Sequence, residues 1–224
     1  MNINLLSPIN QLGYGVVGLN ILKELSKEHN VALFPLGSID SNEDFVRKAL
    51  ENSNNYDKNG VSLRIWHQFD MAQHVGKLHC GFPIFELNKF SEREKHHLKQ
   101  LDKIFVSSSW AKKIIEENNI EVETFVAPFG VDREIFKERE FVDTEKTIFL
   151  NVGKWEKRKG HDILVEAFNK AFNKEDNVEL WVLPNNPFLS ENENRTWEQL
   201  YKSSKLGNKI KILDRVDTIT MLLI

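Results

Sequence analysis

A single cysteine, Cys80, stands in 224 residues, so no internal disulfide can form and the chain reads as a protein of the reducing cytoplasm. The formal net charge is only −3, too small to pull the whole molecule toward nucleic acid or an anionic membrane. No apolar run approaches the roughly 18 to 20 residues that a membrane-spanning helix needs. The opening segment, MNINLLSPINQLGYG, has neither a basic n-region nor a cleavage-site pattern. No internal repeat of solenoid length and no low-complexity tract is visible. Asn194-Arg195-Thr196 matches a glycosylation sequon, which has no meaning in a chain that is never secreted. Metal spacing is missing too: His74 and His79 lack partners at ligand intervals, and His96 and His97 are expected on an exposed helix face. What remains is the balance of an ordinary soluble domain, 41% hydrophobic and 28% charged.

The apolar residues alternate between two patterns. Short runs read as strands cover 2–6, 31–36, 61–66, 79–85, 102–106 and 122–127. Between them lie helical stripes, with Val17, Ile21, Leu22 and Leu25 on one and Phe45, Val46, Ala49 and Leu50 on another. Ser91 followed by Glu94 is a capping box, opening a helix that turns Leu98 and Leu101 inward. Ser108 or Ser109 caps the next, with Ala111, Ile114 and Ile115 inward. Strand and helix in alternation predict an α/β fold with a parallel sheet covered on both faces.

The polar segment KEREFVDTEK, 137–146, reads as a linker between a domain at 1–136 and a second at 147–224. The alternation then restarts with a strand at 147–152, a helix at 161–172, a strand at 178–183, a helical segment around 195–205 and a strand at 209–213. Ile163, Leu164, Ala167, Phe168, Ala171 and Phe172 are expected on one side of the 161–172 helix. Three strands fall short of the five or six usual in a doubly wound sheet, and the chain closes on an apolar run, 216–224. C-terminal truncation within a βα unit is the expectation; a small natural domain whose tail packs home is the alternative.

Gly13-Tyr14-Gly15-Val16-Val17-Gly18 spells G-x-G-x-x-G directly after a strand and opening a helix. Glycines there let backbone approach an anion, favoured by the helix N-terminus. A dinucleotide-binding oxidoreductase would also place an acid at the tip of the second strand. That tip, Pro35-Leu36-Gly37, has none, and Asp40 comes three residues later. NAD(P) binding therefore stays a lesser alternative, beside a purely structural tight turn.

A second motif runs from Phe149 to Phe168. A strand ends at Gly153, Lys154, Lys157, Arg158 and Lys159 follow, and Lys159-Gly160 opens an amphipathic helix. Cations and a helix N-terminus in one small volume describe a diphosphate site, with a solvated basic loop as the plainer reading. This stretch resembles the strand–G-R/K–loop–K-G–helix signature of the retaining GT-B glycosyltransferases (group 1 glycosyl transferases). Pro128-Phe129-Gly130-Val131-Asp132 with Phe136 resembles that family's P-x-G-V-D…F turn. Val106-Ser107-Ser108-Ser109-Trp110 is similar to its strand–S-x-W/F–helix element, and the early glycine turn sits where the family has a glycine loop. The ordered set spans nearly the whole chain.

The resemblance implies a GT-B-like fold, with a complete N-terminal Rossmann-like, acceptor-side domain and the first part of a donor-side one. It implies hexose transfer with retention, from a nucleotide diphosphate sugar to a glycan, lipid or other hydroxyl acceptor, with no permanently bound cofactor. Gly153, Lys154, Arg158 and Lys159 match the donor-diphosphate loop; Lys at 154 replaces the family's Arg, a point charge for a fork, and Arg158 is the candidate to supply one. Gly13, Gly15 and Gly18 form the glycine loop. His67, closing the third strand, is similar to the family histidine near the transferred sugar and is the catalytic-site candidate. Glu86, closing the next, is the candidate for acceptor or sugar contact. The departing phosphate is implied to take the acceptor's proton. The family's E-x7-E motif finds no match: Glu191 and Glu193 are expected in a polar loop, too early in the order. A non-catalytic binding protein of the same fold is the corresponding alternative.

Overall fold

A computed structural model describes residues 1–138, 145–184, 186 and 188–213. Positions 139–144 of the expected linker and the apolar run at 216–224 lie outside the described residues. The chain divides into two compact units, Met1–Gly130 and Val131–Ile224, meeting within the Pro128–Asp132 motif.

In the first unit, strands β1 (Asn2–Ser7), β2 (Asn30–Pro35), β3 (Val61–Trp66), β4 (Leu78–Pro83), β5 (Lys103–Val106) and β6 (Thr124–Val126) form one sheet in the order β2-β1-β3-β4-β5-β6. Every neighbouring pair is parallel. Helices α1 (Gly13–Glu28), α2 (Asp44–Asn52), α3 (Glu92–Lys99) and α4 (Ser109–Glu117) supply four of the crossovers, and the connection from β3 to β4 carries only the 3-10 turn Gln68–Asp70. Parallel strands need such crossovers and are buried on both faces; β2 reads as a near-continuous apolar run, while β1 and β3 also bury the polar Asn4, Ser7, Ser62 and Arg64. Leu5, Leu22, Leu33, Val46 and Ile65 centre one core cluster; Leu98, Ile104, Val106, Ile114 and Ile115 centre another.

The helix starts are set by side chains that satisfy the first free amides. Ser91 and Glu94 make the expected reciprocal box, and of the two serines before α4 it is Ser108 whose hydroxyl accepts from the Ala111 amide. Helix α1 begins at Gly13, so the glycine motif opens it as expected and is itself the first helical turn.

The second unit contains β7 (Thr147–Val152), α5 (His161–Ala171), β8 (Val178–Leu183), α6 (Glu191–Lys202) and β9 (Ile210–Ile212), with the strands parallel in the order β7-β8-β9. Two sequence expectations are corrected here. Glu191 and Glu193 are not in a loop: Ser190 and Glu193 form a second capping box, and both acids sit in the first turn of α6, the same S-x-x-E signal that opens α3. On α5 the buried stripe is His161, Val165 and Phe168, with Leu164 and Phe172 partly buried, while Ile163, Ala167 and Ala171 are exposed. The apolar residues of α5 wrap more than one face, and the aromatic cluster around His161 selects which faces inward.

Candidate active site

The strand order of the first unit turns back at β1, which pairs with β2 on one side and β3 on the other. In open α/β sheets the crevice at the carboxyl ends of the strands flanking such a switch point is where ligands bind. The β1–α1 connection and the residues after β3 therefore occupy the favoured position.

Two of the three glycines of the first motif are needed for packing. A Cβ on Gly15 would lie 2.2–2.4 Å from Asn10 atoms, and one on Gly18 would lie 2.1 Å from Ser7 Oγ and 2.4 Å from Pro8 O. Only glycine lets α1 lie this close to the strand that feeds it. Gly13 meets nothing within 4 Å. No side chain caps the α1 N-terminus and no acid lies in its first turn.

Tyr14, between the first two glycines, reaches across to the end of β3. Its hydroxyl oxygen lies 2.9 Å from His67 Nδ1 and 2.9 Å from the Ile84 carbonyl oxygen. His67 follows the last residue of β3 and precedes a short 3-10 turn, Gln68–Asp70. Its ring is held among aromatics: Tyr14 at 4.5 Å between centroids, Trp66 edge-on at 5.0 Å and Phe69 stacked at 5.0 Å. Burial pushes the His67 pKa below the ordinary histidine value, favouring the neutral ring. Tyr14 is pushed up to about 12, first by burial and then by the charge of Glu86.

Glu86 is thus electrostatically coupled to the Tyr14–His67 pair, but it does not close β4. That strand ends at Pro83; Ile84 donates one last bond to Trp66 O, and Glu86 is an exposed residue beyond it. The turn carrying His67 is anchored from below by Arg64, whose side chain is 2% exposed. Its Nε donates to Asp70 O at 2.6 Å and its Nη2 to Asp70 Oδ2 at 2.5 Å.

Of the other histidines, His97 is half-buried and its Nδ1 accepts from the Ala72 amide at 3.2 Å, correcting the exposed-face expectation for that residue. His74 and His79 stack at 4.5 Å, each with Nε2 on a backbone carbonyl. No metal-binding group of three or more His, Cys, Asp or Glu side chains exists among the described residues.

In the second unit, β7 ends at Val152, and the basic loop that follows is fastened through buried groups. Gly160 takes the left-handed conformation (φ 71°) that glycine favours and stands as N-cap of α5. His161, fully buried, places Nδ1 2.9 Å from Tyr201 Oη and Nε2 2.8 Å from Lys154 O. Trp155 packs on His161 at 4.7 Å and on Tyr201 at 5.4 Å, and Asn186 Nδ2 donates to Trp155 O. Lys154 Nζ lies 4.8 Å from the centre of the Phe188 ring. The Arg158 fork lies against Glu156, at 3.3 Å for both nitrogens, and Lys159 is exposed. Around Gly153 a Cβ would meet only open space.

The structure thus brings the glycine turn, His67 and Glu86 together through Tyr14, and groups Gly153, Lys154, Arg158 and Lys159 on one anchored loop of the second unit. Sequence reasoning passed over Tyr14 and His161. Their signals were a polar aromatic between two glycines and a histidine directly after Lys159-Gly160.

No protein-family model matches the sequence, and no curated protein does. Solved structures are similar in fold. A sucrose-phosphate synthase from Thermosynechococcus elongatus superposes with a TM-score of 0.71 at 15% identity, over 100% of this chain and 72% of that one. Anabaena HepE, solved in complex with UDP-glucose, gives 0.66 at 16% identity, over 100% and 71%. The fold is GT-B-like. A glycosyltransferase from Rickettsia africae gives 0.62 at 18% identity, over 99% and 70%. Within this GT-B-like fold the chain supplies an N-terminal Rossmann-like unit followed, among the described residues, by three parallel strands of a second. No helix among the described residues is long and apolar enough to cross a membrane.

Proposed function

We propose that the chain serves a glycosyltransferase moving a hexose from a nucleotide diphosphate sugar to an acceptor hydroxyl, with retention at the anomeric carbon. The observation that carries this reading is the placement of the sequence motifs on a GT-B-like fold. The glycine turn and His67 lie at the switch point of one parallel sheet, and the basic loop with its Gly160-capped helix follows the first strand of another.

Each role has a physical basis. Lys154 and Lys159, with the α5 N-terminus, neutralise the diphosphate that leaves with the nucleotide; preorganised charge aimed at a developing anion is commonly the largest catalytic effect. Arg158 reaches the phosphate by leaving Glu156, an exposed pair that costs little to open. His67 contacts the transferred sugar, and Glu86 the acceptor or sugar. Burial makes His67 a weaker base than an ordinary histidine, and the departing phosphate takes the acceptor's proton. HepE's complex with UDP-glucose supports a uridine nucleotide as the first donor to try.

The test is turnover. The chain is incubated with a panel of nucleotide sugars and hydroxyl acceptors, and the anomeric configuration of the product is read by NMR. Protein-dependent transfer with retention is expected, falling about 10²-fold or more in Lys159→Ala. Inversion would overturn the stereochemical assignment. Absence of transfer and hydrolysis across the panel, from a folded chain, favours the non-catalytic binding protein.

A further inference from the structure

Tyr14 has one hydroxyl proton and two close partners, the Ile84 carbonyl oxygen and His67 Nδ1, each at 2.9 Å. A carbonyl oxygen can only accept. The hydrogen in the Tyr14–Ile84 contact must therefore come from the phenol; otherwise two oxygens would face each other at that distance with no proton between them. With its proton committed to Ile84, the phenolic oxygen has only lone pairs left for His67, so Nδ1 must donate.

Above the His67 titration, which burial shifts downward, the ring is neutral, and the phenol keeps its proton. One proton on Nδ1 then leaves Nε2 as a bare lone pair. Which nitrogen of a histidine carries the proton is set by the hydrogen bond that the other makes. The aromatic contacts of Tyr14, Trp66 and Phe69 fix the plane of the ring.

From this geometry we infer that Tyr14 is a positioning residue that holds His67 in the Nδ1–H tautomer, so that Nε2 takes a hydrogen bond from a sugar hydroxyl. The sugar part of this inference rests on the proposed glycosyl transfer; the tautomer does not. An acceptor-only nitrogen discriminates by chemistry. It welcomes a hydroxyl and repels a phosphate or carboxylate oxygen, which a Nε2–H or an imidazolium would bind. His67 therefore reads the sugar and not the diphosphate.

The experiment is nitrogen NMR of the histidine rings in the uniformly 15N-labelled full chain, at a pH above the His67 titration. His67→Gln identifies the His67 signals by their loss. The expected wild-type pattern is a protonated Nδ1 and an unprotonated Nε2. Tyr14→Phe removes the oxygen that accepts from Nδ1 and should move the proton to Nε2. A wild-type Nε2–H tautomer, or a mixture of both, would overturn the assignment. So would an unchanged His67 pattern in a Tyr14→Phe protein whose backbone spectrum matches the wild type. If Tyr14→Phe does not fold, the wild-type spectrum decides alone. No substrate enters this measurement: the expected tautomer in a protein that transfers no sugar upholds Tyr14's role and counts against the glycosyltransferase reading alone.

Discussion

At the scale of single residues, the glycines of the first motif separate by what surrounds them. Alanine at Gly15 or Gly18 drives a methyl into Asn10 or into Ser7 and Pro8, and overpacking of this kind costs about 1–3 kcal/mol. Alanine at Gly13 meets open space and stands in a helix, where it is preferred to glycine by up to about 1 kcal/mol. Urea midpoints of the three variants should therefore fall, fall, and hold or rise. The spacing made all three glycines legible in the sequence. It could not say which were packing and which were open, because the partner atoms come from the strand that precedes them.

His74 offers a second residue-scale prediction. Burial lowers its pKa to about 4, and the stacked His79 and the nearby Arg64 add to this, while the Met71 carbonyl and Asp102 oppose it. The unfolded chain then binds the proton more readily than the folded one, so stability rises with pH. The contribution is fully present above about pH 6.5 and is lost as pH falls toward 4. Urea midpoints measured across that window should drop less steeply in His74→Gln. An equal slope would refute the burial of a neutral His74.

Elements are held by a few buried polar groups. The turn that carries His67 hangs on Arg64 and Asp70. Asp70→Ala leaves a buried guanidinium without its carboxylate; with Asp70 itself 28% exposed, the loss should fall below the roughly 3–5 kcal/mol of a fully buried pair. Denaturation should show it, and the His67 ring signals should shift. The basic loop hangs on His161 and Tyr201 in the same way. Tyr201→Phe strands His161 Nδ1 in the core, at about 1–3 kcal/mol.

Capping was legible at Ser91–Glu94, and the same signal at Ser190–Glu193 was available and unused. The buried pairs were not legible, since Arg64 to Asp70 and His161 to Tyr201 have no spacing rule linking them. The α5 stripe was misread for a related reason. Its apolar residues wrap around the helix, and only the aromatic cluster of Trp155, His161 and Tyr201 fixes the inward face.

For the whole molecule, alternation of strand and helix carried the α/β class and nearly every element of both units. In the sheet β1 lies between β2 and β3, which brings the first and third strand ends together and with them Tyr14 and His67. The candidate site was legible as motifs, while the hydrogen-bond chain linking Tyr14, His67 and Ile84 required coordinates.

The proposed glycosyl transfer requires the loop from Gly153 to Gly160 to bind a nucleoside diphosphate. Calorimetric titration of UDP and UDP-glucose into the wild-type chain and into Lys159→Ala tests it most directly. Saturable binding is expected, weakened about 10- to 100-fold in the variant, the equivalent of one charge-assisted hydrogen bond. No binding, or binding that Lys159→Ala leaves unchanged, would remove the loop from the donor site.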